Sequence, residues 1–164
     1  MKELADGVWH IKCLPGLPWA VNAYRAGDVL IDAGCRQSTG RILKQLDRHD
    51  VKAHALTHAH PDHQGASHAI CERLGIPLWC GEGDVEAMET GTVGFDIADH
   101  WTKTLQRRFW TGPAHKVDRV LRASTRALTT RLPNSVIWLF GIFSASSRSR
   151  SVDGFHSTDA ACTS

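Results

Sequence analysis

The segment Thr57-His58-Ala59-His60-Pro61-Asp62-His63-Gln64-Gly65 constrains this 164-residue chain more than any other. It sets three imidazoles and a carboxylate within six residues, in the pattern HxHxDH. Two residues apart on extended backbone, His58 and His60 can project to the same side and offer two imidazoles to one ion. Pro61 turns the chain out of the strand, and Asp62 and His63 then open a helix facing the same cavity. Imidazole suits zinc, iron and nickel, and an added carboxylate widens the choice toward manganese and iron. Four ligand-type side chains so close together can serve two adjacent ions, so the spacing predicts a dinuclear metal centre at a strand end.

The flanking sequence supplies the setting. Gly7 to Leu14, Ala20 to Arg25 and Val29 to Asp32 are short, rich in Val, Ile, Trp and Tyr, and separated by turn residues, which predicts an antiparallel meander. Ser38 or Thr39 can then cap a helix through His49, with Ile42, Leu43 and Leu46 on one face. A strand over Val51 to Thr57, a helix from Asp62 or His63 to Leu74 and a strand over Ile76 to Cys80 make a βαβ unit. In that helix Ala66, Ala69, Ile70 and Leu74 point inward, and Gly75 and Pro77 mark its stop. Glu82 to Glu89 reads as a short helix, and Ile97 to Trp110 as a longer segment whose aromatic stripe is core or a lid over a pocket.

The motif and its order of elements resemble the metallo-β-lactamase superfamily, in particular its glyoxalase-II-like and lactonase-like members. The resemblance runs through the first 80 residues or so, where the strands, the Val29-Leu30-Ile31-Asp32-Ala33-Gly34 stretch, the helix and the HxHxDH loop come in the family's order. It implies an α/β fold, the αββα metallo-β-lactamase-like sandwich, with its N-terminal half intact. By the same resemblance His58 and His60 belong to a first metal, Asp62 and His63 to a second, and Asp32 lies behind the ligands. The implied cofactor is Zn, one or two ions, with Fe or Mn as alternatives. The implied function is a metal-dependent hydrolase using a metal-activated water on an ester, thioester, lactone or β-lactam carbonyl, with Asp62 as the catalytic group beside that water.

The chain also departs from the family. A third His for the first metal in a Gly-His-Ser/Thr-x-Gly context, a bridging Asp and a further His are not recognisable downstream. His115 lacks flanking glycines, and Asp153 and His156 rank below it. His10, His49, His54, His68 and His100 read as surface or packing residues. A catalytically incompetent remnant that binds metal weakly or not at all is therefore the alternative.

Composition locates the break. Residues 1–122 hold two Ser, fifteen acids and fifteen Lys plus Arg, whereas residues 123–164 hold nine Ser, five Thr, two acids and four Arg, with no Lys or Glu. The organisation expected is a metallo-β-lactamase-like part over 1–122 and an atypical Ser/Thr/Arg-rich tail over 123–164. A flexible extension and a reading-frame shift near codon 122 both fit the tail. The apolar run Val136 to Phe143, too apolar for a linker and without amphipathic surroundings, favours the frame shift. An N-terminal sheet without its covering half would expose an apolar face, so self-association is expected.

The remaining expectations are exclusions. A net charge of +2 without a basic cluster argues against nucleic acid as a partner and leaves a small-molecule substrate. No apolar run approaches the ~20 residues of a membrane span, and Glu3 and Asp6 precede any apolar stretch, so a soluble, cytoplasmic protein is expected. Five cysteines without a CxxC pair read as buried free thiols.

Overall fold

The computed structural model describes residues 1–14, 21–92 and 108–122. Residues 97–107 of the aromatic segment expected over 97–110, His100 among them, and the tail over 123–164 with Asp153, His156 and Cys162 lie outside the described residues; of the aromatic stripe, Phe109 is exposed and Trp110 packs against the core.

The sheet has seven strands in sequence order, and its two halves follow different rules. Lys2–Ala5 (β1), Val8–Lys12 (β2), Asn22–Ala26 (β3) and Val29–Ile31 (β4) form the antiparallel meander. From β4 onward the pairing is parallel, through Ala53–Ala55 (β5), Leu78–Gly81 (β6) and Arg119–Leu121 (β7). Each parallel step needs a crossover, and helices supply the first two. A 3-10 turn at Arg36–Ser38 and helix Thr39–Leu46 (α1) join β4 to β5, while Pro61–Gln64 (α2) and Ser67–Leu74 (α3) join β5 to β6. Beyond β6 come a 3-10 turn at Glu82–Asp84 and helix Val85–Thr90 (α4). The βαβ unit expected over 51–80 is present.

Several boundaries differ from the sequence expectation, each for a local reason. The helix expected from Asp62 or His63 to Leu74 is two helices, because the chain breaks at Gly65-Ala66. Gly65 is pressed against the Trp110 carbonyl, the Arg36 amide and Cys35, where a Cβ would collide. Leu74, expected inward, is 39% exposed at the last position of α3, while Ile70 and Cys71 are buried. Gly75 does stop α3, at φ 64°, with its amide donating to the Cys71 carbonyl. Helix α1 ends at Leu46 rather than His49, and the His49 amide turns back onto the Leu46 carbonyl. The strand expected over Val51 to Thr57 narrows to three residues. Strands β1 and β7 were not anticipated, because neither KELA nor RVL shows a buried alternation; every residue of β1 is exposed.

The core lies on both faces of the sheet. Ile11, Leu30, Ile42, Leu46 and Ile70 pack α1 and α3 against one face. Val29, Ile31, Ala53 and Ala55 are buried on the other, with Val8, Tyr24 and Trp79 against them. All of β4 and β5 is buried, as parallel strands covered on two sides are. Cys13, Cys35, Cys71 and Cys80 are free and buried, and burial pushes the thiols of Cys13, Cys71 and Cys80 up to about 12. Among the described residues no helix is long and apolar enough to cross a membrane.

Candidate metal centre

The HxHxDH loop leaves the carboxyl end of β5 and enters α2 at Pro61, where a missing amide hydrogen costs nothing. Asp32 sits at the end of the neighbouring strand β4, 4% exposed and with φ 57°, a left-handed conformation that a non-glycine residue adopts only under constraint. Its backbone is fixed by the Asp32 amide donating to the Ala55 carbonyl at 2.9 Å, and the Ala33 amide donates to the His63 carbonyl at 2.7 Å. The carboxylate thereby turns toward the loop.

Asp32 organises what surrounds it. One of its oxygens accepts from the Thr57 amide at 2.9 Å, the Thr57 hydroxyl lies at 2.8 and 2.9 Å from the two oxygens, and His63 Nδ1 donates to Oδ2 at 2.8 Å. A hydroxyl has one proton to give. With it committed to Asp32, the Thr57 oxygen accepts from His58 Nδ1 at 3.1 Å. In their neutral forms both rings therefore present Nε2 as the lone-pair nitrogen, which is how a carboxylate behind a histidine fixes its tautomer and its aim. His63 Nε2 lies 3.5 Å from Asp62 Oδ2.

The rings stand close together. The centroid of His58 is 4.5 Å from that of His60 and 3.9 Å from that of His63. Burial, and then the neighbouring His63 and His60, lower the His58 pKa to about 4, so this ring is a neutral donor near pH 7. His63 goes the other way: burial opposes its charge, but the hydrogen bond and charge of Asp32, with Asp62, raise it above its ordinary value. A divalent ion would replace that proton. The donor set, three imidazoles and a carboxylate with two ring nitrogens aimed by Asp32 and Thr57, fits such an ion. Among the described residues the trio whose ligand atoms all lie within 4.8 Å of one another is a different one, His68, Glu72 and His115.

Sequence reasoning missed two participants. Asp84, at the end of the turn after β6, accepts from the Ala59 amide at 2.9 Å and so braces the loop between its two histidines. Burial raises the Asp84 carboxyl, against the hydrogen bond from Ala59 and the influence of His60. An acid just beyond a parallel strand end was the available signal, but the CGEGD segment carries no recognisable spacing to the motif. The second is the His68–His115 pair, with Nδ1 atoms 3.0 Å apart. His115 is thus placed beside α3, whereas His54, expected as a packing residue, is fully buried between the Leu30 carbonyl and the Ser67 hydroxyl.

Comparison with known proteins settles the family. The family model for the metallo-beta-lactamase superfamily matches residues 14–131. This chain belongs to the metallo-β-lactamase superfamily. A metallo-β-lactamase from Cronobacter sakazakii carrying an HARLDQ motif is similar over 74% of this chain and 47% of its own, at 20% identity and TM-score 0.57. BJP-1, a subclass B3 metallo-β-lactamase of Bradyrhizobium japonicum, is similar over 74% and 44%, at 27% identity and TM-score 0.53. LRA-12, a class B3 di-zinc metallo-β-lactamase from an Alaskan soil metagenome, is similar over 70% and 42%, at 20% identity and TM-score 0.53. The chain spans less than half the length of these solved relatives. Among curated proteins no significant match is found. The superfamily match extends past the change in composition at residue 123.

Proposed function

We propose that this chain carries the first half of a zinc-dependent hydrolase centre, with His58 and His60 holding one ion and Asp62 and His63 a second. The observation that carries this reading is the Asp32–Thr57 network, in which one buried carboxylate aims two histidine rings of the motif. When bound, zinc supplies a polarised carbonyl and an activated water at neutral pH. Asp32 holds the His63 ring in one tautomer, Thr57 does the same for His58, and Asp84 fixes the loop backbone at Ala59. The Asp62 carboxylate, 41% exposed beside His63, stands where it can orient a water and take its proton.

The substrate is a small molecule with an ester, thioester, lactone or β-lactam carbonyl. The names of the solved relatives favour the β-lactam; the glyoxalase-II-like and lactonase-like alternatives rest on the motif alone. Family membership over residues 14–131 favours the hydrolase over an incompetent remnant.

The test is a panel of chromogenic substrates of the four classes, assayed with the zinc-loaded chain, the chelated chain and Asp62→Asn. Hydrolysis that needs zinc and falls by about two orders of magnitude in Asp62→Asn, with an unchanged melting profile, is expected. Hydrolysis unaffected by chelation or by Asp62→Asn would overturn the assignment.

A further inference from the structure

His68 lies in the first turn of α3 and Glu72 one turn later, so the two stand on one helix face four residues apart. His115 reaches that face from the segment leading into β7. The segment is tied down on each side: the His115 amide donates to the Met88 carbonyl at 2.8 Å, the Val117 amide to Glu89 Oε1 at 3.1 Å, and Asp118 Oδ2 accepts from the Leu78 amide at 2.9 Å. With the ring thus delivered, the Nδ1 atoms of His68 and His115 lie 3.0 Å apart, and one ligand atom from each of His68, Glu72 and His115 falls within 4.8 Å of the others.

A contact between two Nδ1 atoms at that distance uses one hydrogen and one lone pair, and does not engage the Glu72 carboxylate. A tetrahedral zinc with Zn–N bonds of about 2.0–2.1 Å would set two ligand nitrogens about 3.3–3.4 Å apart, a small displacement from what is observed. The rings are half-buried and Glu72 is exposed, so an ion can enter from solvent. A cavity of about 430 Å³ lined by Glu89, Ala114, His115 and Lys116 opens beside the group. The charged groups that act on His115 are His68, Glu72 and Asp118, and those that act on His58 are His63, His60, Asp32 and Asp62. The two sets share no member.

We propose that His68, Glu72 and His115 form a zinc site of their own, separate from the HxHxDH loop, with a position left for water. Its effect is mechanical: it clamps the segment before β7 onto α3. Gly112 of that segment is packed directly against Gly65, so the clamp also holds the residue at which the motif helix breaks.

The test is Zn(II) binding to the full chain by equilibrium dialysis, with Co(II) absorption as the report on tetrahedral coordination. A chain with His58→Ala, His60→Ala and His63→Ala, which removes ligands of both loop ions, is expected to retain one Zn(II) that is lost on adding His115→Ala. Glu72→Gln, at an exposed position where folding is not at stake, is expected to weaken one ion at least about tenfold and to lower the Co(II) band while leaving hydrolysis assays at saturating zinc unchanged. Glu72→Gln and His68→Ala that both bind zinc with the stoichiometry and affinity of the unaltered chain would overturn the proposal. So would a His58→Ala/His60→Ala/His63→Ala chain that melts normally and binds no zinc. Because every arm reads metal binding, these outcomes stand whether or not the motif proves hydrolytic.

Discussion

The histidines after β5 and the histidines around α3 are held by opposite means. Those of the HxHxDH loop are wired from behind: Asp32, buried and at φ 57°, binds His63 directly and His58 through Thr57. Those around α3 are hydrogen-bonded to each other instead, His68 and His115 meeting Nδ1 to Nδ1 at 3.0 Å. A second coordination layer tunes a metal for reactivity, whereas ligands that touch each other across two chain segments join those segments. On the two proposals above, chemistry belongs to the loop and mechanical closure to the α3 group.

The strongest way to break this contrast is to remove ligands from the loop. His58→Ala combined with His60→Ala should abolish zinc-dependent hydrolysis by at least about 100-fold, because a shell with few ligands cannot spare two. His68→Ala should leave saturated-zinc hydrolysis within about twofold. Equal losses in both would erase the distinction.

Next in size is the wiring. Asp32→Asn keeps the shape but removes the charge behind His63, and metal affinity should fall about 10- to 100-fold with folding retained. Zinc competition against a chromogenic chelator measures it, and an unaltered constant would make Asp32 a packing residue only. Thr57→Val should show a smaller loss of the same kind.

The two regions are joined through Gly65, and Gly65→Ala should strain both. Its Cβ would collide with the Trp110 carbonyl and the Arg36 amide, at a cost of about 2–3 kcal/mol in chemical denaturation. A melting curve like that of the unaltered chain would show that the 109–112 segment does not pack there.

The smallest effect is graded with pH in the metal-free chain. His54 and His58 are held by burial at about 4 against an ordinary 6.5, so between those values the unfolded chain takes up protons that the folded chain does not. Stability is therefore complete above about pH 6.5 and declines as pH falls toward 4, at up to about 1.4 kcal/mol per pH unit for the fully buried His54 and by less for His58, which solvent partly screens. His63 works with the opposite sign, adding stability at low pH that is lost as pH rises through its raised value. Thermal melts from pH 7 to 4 should show a net decline, and a flat profile would place His54 in contact with water.

Much of this arrangement was legible in the residues. The meander, the βαβ unit and the position of the HxHxDH loop follow from turn residues, apolar runs and one dense motif, all of them local signals. What was not legible depends on contacts between distant segments. The break between α2 and α3 lies beside Gly65, which packs against Trp110 and Arg36, the bracing of Ala59 comes from Asp84 twenty-five residues on, and the pairing of His68 with His115 spans forty-seven. The exposed strands β1 and β7 escape notice for a related reason, since they are held by backbone pairing to a neighbour and need no apolar pattern of their own.

Anomalous scattering at the zinc edge from crystals of the zinc-loaded full chain tests the account most directly. Density is expected within bonding distance of His58 or His60 and of His63 in the HxHxDH loop, with a separate peak among His68, Glu72 and His115. Zinc at the α3 group with none at the loop would contradict it.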